Sequence, residues 1–176
     1  MINFKELSNK ELAQINKSLN YFGGLIFDTL IKSNIFLINT KIKKEIFLIP
    51  KNNYEIFLKF KNYRVPYYLG IYFGDLKNKS LFFSLNSLQI INNLTTKKIM
   101  VNKQGELKFI YGKNLQKKHI IKIFSNFNPL DKMIIINNKN EVLGLGKTIY
   151  PINIKFNNNI KIKNIIDIGW YLRKGN

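Results

Sequence analysis

The sequence predicts an α+β chain in two segments, a mixed helix-and-strand segment over residues 1–94 and a small β-barrel over residues 95–176. Three observations carry this reading. Apolar residues recur at helical spacing after Ser8. Short β-branched and aromatic runs, separated by turn-forming residues, then recur along the chain. The charge changes near residue 95: residues 1–94 hold 13 basic and 6 acidic side chains, net +7, whereas residues 95–176 hold 16 and 4, net +12.

Ser8 followed by Glu11 has the form of a capping box, and Leu12, Ile15, Leu19 and Phe22 share one face of the helix it opens. Gly23-Gly24 interrupts that helix. Residues 35–38 and 46–49 read as strands of a hairpin around Asn39-Thr40-Lys41 that ends at Pro50. Residues 54–60 fit either state: Ile56, Phe57 and Phe60 suit a helix face, but the run is short. Val65-Pro66 breaks it. Residues 68–73 and 81–85 then read as strands and 88–94 as helical. Beyond Thr95-Thr96, residues 98–101 and 106–111 read as strands joined by the turn Asn102-Lys103-Gln104-Gly105. Residues 114–123 read as a short basic helix with Leu115, Ile120 and Ile123 inward. Residues 133–136 and 141–145 flank Asn137-Asn138-Lys139-Asn140 as a second hairpin, and 152–156 and 160–168 follow as strands. Lys161 and Lys163 alternate with Ile160 and Ile162, which in a strand puts both ammonium groups on one face. Short strands at this spacing fit a small barrel.

Composition limits the chemistry. The chain has 176 residues, 29 Lys+Arg against 10 Asp+Glu, a net charge of +19, and 45% hydrophobic residues, enough for a packed core. The absence of Cys excludes disulfides, thiol catalysis and Cys-ligated metals, and a single histidine, His119, excludes sites built on two or three histidines. A surface this positive attracts polyanions. However, 29 Ile, 27 Lys and 26 Asn are residues that AT-rich codons favour. The placement of the charge therefore says more than its total. No apolar run approaches the roughly 20 residues of a membrane helix, and the N-terminus lacks a signal-peptide pattern. A soluble, cytoplasmic monomer without cofactor is expected (nucleolar if the source is eukaryotic).

Each candidate motif has a plain structural alternative. Gly144-Leu145-Gly146-Lys147-Thr148 lacks the earlier glycine of a phosphate loop, since Glu141 stands there, and Ile149-Tyr150-Pro151 opens no helix. A glycine-bearing strand under close approach fits better. His119, between Lys118 and Ile120, has no acid nearby in sequence to orient it, so a solvated or RNA-facing role is expected rather than catalysis. Asp131, Asp167, Glu106 and Glu141 are expected to pair with the surplus lysines. Tyr111, Tyr150, Trp170 and Tyr171 lie at element ends, where aromatic rings either pack or stack on unpaired bases. The candidate RNA-binding residues are Lys113, Lys117, Lys118, Lys147, Lys155, Lys161, Lys163 and Arg173, with Lys122 and Lys174 in the same basic set.

Three segments after residue 95 carry a family resemblance. Asn164-Ile165-Ile166-Asp167-Ile168-Gly169-Trp170-Tyr171-Leu172-Arg173 resembles the closing signature of PUA domains, Asp-x-Gly-x-Tyr-Leu-Arg. Phe109-Ile110-Tyr111-Gly112-Lys113-Asn114 resembles the strand-to-helix turn that opens the PUA helix, and Glu141-Val142-Leu143-Gly144-Leu145-Gly146 the central PUA strand. Upstream, Tyr68-Leu69-Gly70-Ile71-Tyr72-Phe73-Gly74 is similar to a strand of the domain that precedes PUA in the Nip-seven ribosome biogenesis factors.

That resemblance implies an N-terminal α/β pre-PUA domain over residues 1–94 and a C-terminal PUA-like β pseudo-barrel over 95–176. It implies a non-enzymatic factor in large-subunit rRNA maturation that binds uridine-rich single strands and meets other assembly factors through its first domain. Lys147, Lys155, Lys161 and Lys163 liken it to archaeal members. Trp170 departs from the family's usual Glu, and Lys stands for Arg, a point charge without a bidentate fork, which weakens base-specific readout more than phosphate binding. The RNA would lie in a groove between a helix over 113–123 and the closing strands, with Gly112 and Gly146 allowing close approach. Two other readings stand beside this one. An RNA-modifying enzyme would need a catalytic aspartate, for which residues 1–94 offer only Asp28 and Asp75, or a cofactor loop, for which Gly23-Gly24 is too short. An assembly scaffold would bind protein through the first domain.

Overall fold

The computed structural model describes residues 4–61, 63, 66, 69–153, 160–170 and 173. They form two compact units, Met1–Ser87 and Leu88–Asn176. The first holds β1 (Phe4–Glu6), α1 (Asn9–Asn20), α2 (Ile26–Ser33), β2 (Asn34–Asn39), β3 (Glu45–Pro50), α3 (Lys51–Phe60), β4 (Ile71–Lys77) and β5 (Ser80–Phe83). Helix α4 (Leu85–Ile91) and a 3₁₀ turn at Asn92–Leu94 lead into the second. There follow β6 (Lys98–Val101), α5 (Lys103–Ile110), β7 (Leu115–Gln116), a 3₁₀ turn at Lys117–His119, β8 (Ile120–Ile123), β9 (Lys132–Ile136), β10 (Val142–Thr148) and β11 (Lys161–Asp167).

The first sheet runs β1-β2-β3-β4-β5, every neighbouring pair antiparallel. Helix α1 starts at the capping box: Ser8 Oγ accepts from the Glu11 amide, and a Glu11 carboxylate oxygen accepts from the Ser8 amide at 3.1 Å. Ile15, Leu19 and Phe22 are buried as the periodicity predicts. The continuous apolar runs of β2 and β3 are buried on both faces. One side holds the edge-on pair Phe36–Phe73, and the other the cluster of Phe4, Leu37, Phe47, Ile49 and Tyr54. Residues 54–60 prove to be helical, but of the expected face only Phe57 packs against the core, beside Tyr54. Tyr54 is buried and donates its hydroxyl hydrogen to Glu6 at 2.7 Å, while Ile56 and Phe60 are exposed. Helix α2 has no counterpart among the expected elements, because its two turns bury only Ile26 and Leu30. Of the segment resembling the strand before PUA, Tyr68 lies outside the described residues.

The second sheet runs β7-β11-β10-β9-β6-β8, with β6 and β9 parallel and the other neighbours antiparallel. Its two edge strands, β7 and β8, are joined by only the three residues of the 3₁₀ turn. Laid flat, the edges of six strands would stand about 24 Å apart. The four residue steps from Gln116 to Ile120 span at most about 14 Å even when fully extended. The sheet must therefore curl until its edges nearly meet. The curl encloses a core of Ile99, Val101, Phe109, Leu115, Phe127, Met133, Ile135, Leu143, Ile152, Ile160 and Ile162.

Two expectations fail here. Residues 106–111 are not a strand. Asn102 is a helix N-cap whose Oδ1 accepts from the Gly105 amide at 2.8 Å, so the turn signal is the start of α5. The alternation Leu107, Phe109, Tyr111 imitates a strand, yet only Phe109 is buried. Residues 114–123 are not a basic helix but strand, 3₁₀ turn and strand, so the groove expected beside such a helix is absent. Both hairpins stand as read, at β2–β3 and β9–β10. Ile152 forms an isolated bridge with Phe127, and residues 154–156 of that expected strand lie outside the described residues.

Gly144-Leu145-Gly146-Lys147-Thr148 lies within β10, not on a phosphate-binding loop. Gly144 has φ +151°, and a Cβ there would stand 2.0 Å from the Ile166 carbonyl oxygen on β11. Gly144→Ala must therefore separate two central strands, an expected cost of about 1–3 kcal/mol or more. Gly24→Ala, with nothing within 4 Å of its Cβ, should leave stability nearly unchanged. Thermal melts followed by circular dichroism measure both, and equal midpoints for the two variants would contradict the packing argument.

Candidate nucleic-acid interface

Strand β11 alternates by face: Ile162 is fully buried in the barrel core, while Lys161 and Lys163 are exposed. In antiparallel pairs, opposite residues project from the same face. Lys163 is opposite Lys147 of β10, and Lys147 is opposite Lys132 of β9. On the other side, Lys161 is opposite Gln116 of β7, and the chain continues from Gln116 directly into the exposed Lys117 and Lys118. The outer face of the barrel thus carries a cationic belt across β9, β10, β11 and β7. Among the described residues, no ion pair reaches Lys117, Lys118, Lys147, Lys161 or Lys163. Like charges directly opposite on neighbouring strands repel. A polyanion laid across the strands relieves that repulsion.

Of the residues singled out from sequence, Lys147, Lys161 and Lys163 come together on this face and Lys117 and Lys118 adjoin it. Lys113 is exposed between α5 and β7, and its amide donates to Lys108 O. Lys122 stands on β8 with its ammonium 4.8 Å from the Phe124 ring centroid. Lys155, Lys174 and Tyr171 lie outside the described residues. Lys132 was not singled out. It shares the hairpin of Lys147, but the register shift between Val142 and Gly144 hides their pairing from a residue count.

Arg173 has a different place. Its guanidinium clasps the buried carboxylate of Asp167 with two parallel bonds of 3.0 and 2.8 Å and donates to the Ile110 carbonyl at the end of α5. The Asp167 bonds raise the guanidinium pKa above its already high usual value. Gly112, at φ +74°, seats that guanidinium: a Cβ there would stand 3.2 Å from Arg173 Cζ. A Cβ on Gly169 would stand 2.0 Å from the Ile110 carbonyl oxygen. The aspartate, glycine and arginine of the closing signature are thus parts of one latch between β11, α5 and the chain beyond. Asp167 pairs with arginine, where a surplus lysine was expected. Gly112 and Gly146 serve internal contacts, since a Cβ on Gly146 would meet Ile162 Cγ2 at 2.6 Å.

His119 is not solvated. Its side chain is fully buried, and Nδ1 accepts from the Gln116 amide at 3.0 Å. Of the acids, Asp131 lies 3.9 Å from Lys97. Glu106 is 3.5 Å from Lys103, and both Glu106 and Glu141 accept from the side-chain amide of buried Asn137. In the first unit, Asp75 accepts from Lys43 at 2.8 Å and from the Tyr72 hydroxyl, and Asp28 is exposed in the first turn of α2. Tyr111, Tyr150 and Trp170 are exposed, and Tyr150 follows the lysine-bearing end of β10.

A family model described as UPF0113 PUA domain matches residues 97–176, and one described as NIP7/UPF0113, pre-PUA domain, matches residues 4–85. A UPF0113 protein of Archaeoglobus fulgidus is 25% identical over 173 residues, covering 97% of this chain and 94% of that protein. Among solved structures, a hypothetical protein from the hyperthermophilic archaeon Pyrococcus horikoshii OT3 is similar with a TM-score of 0.60 at 12% identity, covering 97% of this chain and 99% of that one. A PUA domain from Aeropyrum pernix K1, in a tartrate complex, gives 0.59 at 10% identity, covering 98% and 89%. A conserved PUA domain protein from Thermoplasma acidophilum gives 0.53 at 13%, covering 97% of each chain. At these identities the structural likeness speaks for fold alone.

The latch makes a separable prediction. Arg173→Met leaves the Asp167 carboxylate buried and unpaired, so the unfolding midpoint should fall. Arg173→Lys should recover part of it, lacking the fork for two parallel bonds. The salt dependence of polyanion binding should not change, and a reduced slope would instead make Arg173 a phosphate contact.

Proposed function

Because the chain belongs to the NIP7/UPF0113 family, with a pre-PUA domain followed by a PUA domain, we propose that it binds RNA through the lysine belt of its PUA barrel. The observation that carries the reading is the cross-strand row Lys132–Lys147–Lys163, extended by Lys161 and the basic turn. Codon bias enriches lysine but does not align it across three strands on one face. Lysine reads phosphate as a point charge, so the belt favours backbone contact over base readout. A single strand suits it, its bases free to meet an exposed ring such as Tyr150. In this reading the preferred RNA is a uridine-rich single strand of precursor ribosomal RNA. The protein acts without catalysis in large-subunit assembly in the cytoplasm, and its first domain meets other assembly factors.

Titration of a uridine-rich oligonucleotide at several salt concentrations tests the RNA-binding core of the proposal. Affinity should fall linearly on a log–log plot. Lys147→Gln and Lys163→Gln should each reduce the slope by about 0.7 to 1, whereas Lys10→Gln on α1 should not. Absence of binding at low salt, or an affinity flat with salt, defeats the reading.

A further inference from the structure

We propose that His119 is the positioning residue of the basic turn: its neutral imidazole holds Lys117 and Lys118 in their RNA-binding arrangement, and protonation releases them. The proposal rests on reading those lysines as RNA contacts. Its geometry lies at the barrel seam. The turn Lys117–His119 is all that joins edge strand β7 to edge strand β8, and it carries two exposed cations on a fully buried ring.

The turn is held from below at several points. The Asn102 amide donates to His119 O at 2.9 Å, and Asn102 Nδ2 donates to Lys118 O at 2.8 Å. Gly105 in the first turn of α5 lies so close that a Cβ there would stand 2.8 Å from His119 O and 2.9 Å from His119 Cβ. The Gln116 side chain accepts from the His119 amide, the Ile120 amide donates to Lys117 O, and a further tie is made by the histidine side chain itself. Nδ1 accepts the Gln116 N–H at 3.0 Å, so Nδ1 carries no proton and the ring is the neutral tautomer protonated at Nε2. Nε2 is buried without a hydrogen-bond partner among the described residues.

A second proton would go to Nδ1, setting donor against donor at Gln116 N–H and breaking the tie. The surroundings offer the resulting cation nothing. Lys118 on its own turn and Lys108 on α5 are both positive; α5 adds Lys103 and Glu106, the latter engaged with Lys103 and Asn137. On strands β6 and β8 the charged groups are Lys98, bonded to Asn92 O, and Lys122, over the Phe124 ring, and β7 carries no titratable group. Burial first, then Lys108 and Lys118, holds the imidazole pKa below the usual histidine range. The folded chain thus binds this proton less readily than the unfolded chain does. Stability conferred by neutral His119 is complete above about pH 6.5 and is lost as pH falls from there toward the folded-state pKa. Acid thus loosens the turn that presents Lys117 and Lys118.

The chain has one histidine, so its NMR spectrum holds one imidazole to follow. On the full chain, the ring should titrate below about pH 6.5, with the Gln116, Lys117 and Lys118 amide signals shifting at the same midpoint. Affinity for a uridine-rich oligonucleotide at low salt should drop through that midpoint by about tenfold or more, the loss of two phosphate contacts. His119→Asn offers a carbonyl oxygen to the Gln116 amide and has no titrating proton, so it should bind as wild type does at neutral pH and lose the pH step. His119→Leu should bind weakly at every pH. An imidazole that titrates while the three amides stay still overturns the proposal, as does a pH step that persists in the asparagine variant. If RNA fails to bind at every pH while the amides still follow the ring, the RNA reading of the belt fails and the positioning role of His119 stands.

Discussion

Three residues bridging the two edges of a six-stranded sheet constrain everything else in the C-terminal unit. Because Lys117–His119 must close a distance that a flat sheet would not allow, the sheet curls, and the curl decides which face of each strand is dry. Ile162, Met133 and Ile135 turn inward to fill the enclosed space. Their neighbours on the outer side, Lys163 and Lys132, are thereby turned to solvent in one row through Lys147. The burial of His119 belongs to the same geometry: a turn stretched across the seam has α5 directly beneath it, leaving its third side chain no route to water. The Asp167–Arg173 latch then fastens the chain beyond β11 to the far end of α5. One helix thus braces both the seam and the tail.

Charge in this chain has two origins that the fold separates. Much of the lysine content follows the general bias toward Ile, Lys and Asn and is scattered over the surface. The belt is different, because its members are neighbours only through strand register. Holding Lys132, Lys147 and Lys163 in line works against folding, since each strand pairing brings like charges together. Such a cost is intelligible at a binding surface and has no packing rationale.

Much of the fold could be read from residues whose signals are local. The Ser8–Glu11 box, the two hairpins and the alternation at Ile160–Lys163 all depend on near neighbours. Where local signals conflicted, the reading failed for identifiable reasons. Asn102-Lys103-Gln104-Gly105 contains the residues of a turn, yet Asn102 is a helix cap, and only burial of Phe109 inside a closed barrel decides between them. Lys117, Lys118 and His119 resemble a basic helix because the sequence carries no mark of a seam. At the site, the shared face of Lys161 and Lys163 was legible from strand alternation, whereas Lys147 was picked out only as one of the basic set. Lys132 was hidden by a register shift that moves its partner from Gly146 to Lys147. The pairing of Arg173 was not legible, because its partner, Asp167, is buried by tertiary packing.

The belt also has a history within each molecule. Strand β11 follows the other described strands in chain order, yet it lies between β7 and β10, in the middle of the belt. As the polypeptide is synthesised, Lys117, Lys118, Lys132 and Lys147 emerge first as loosely spaced cations on an unfinished sheet. They acquire a common surface only when β11 inserts between strands made earlier. A growing chain therefore carries most of the charge of the finished protein well before it carries the spacing. The spaced surface that a polyanion would meet arises only once β11 has been made, in the same step that completes the barrel.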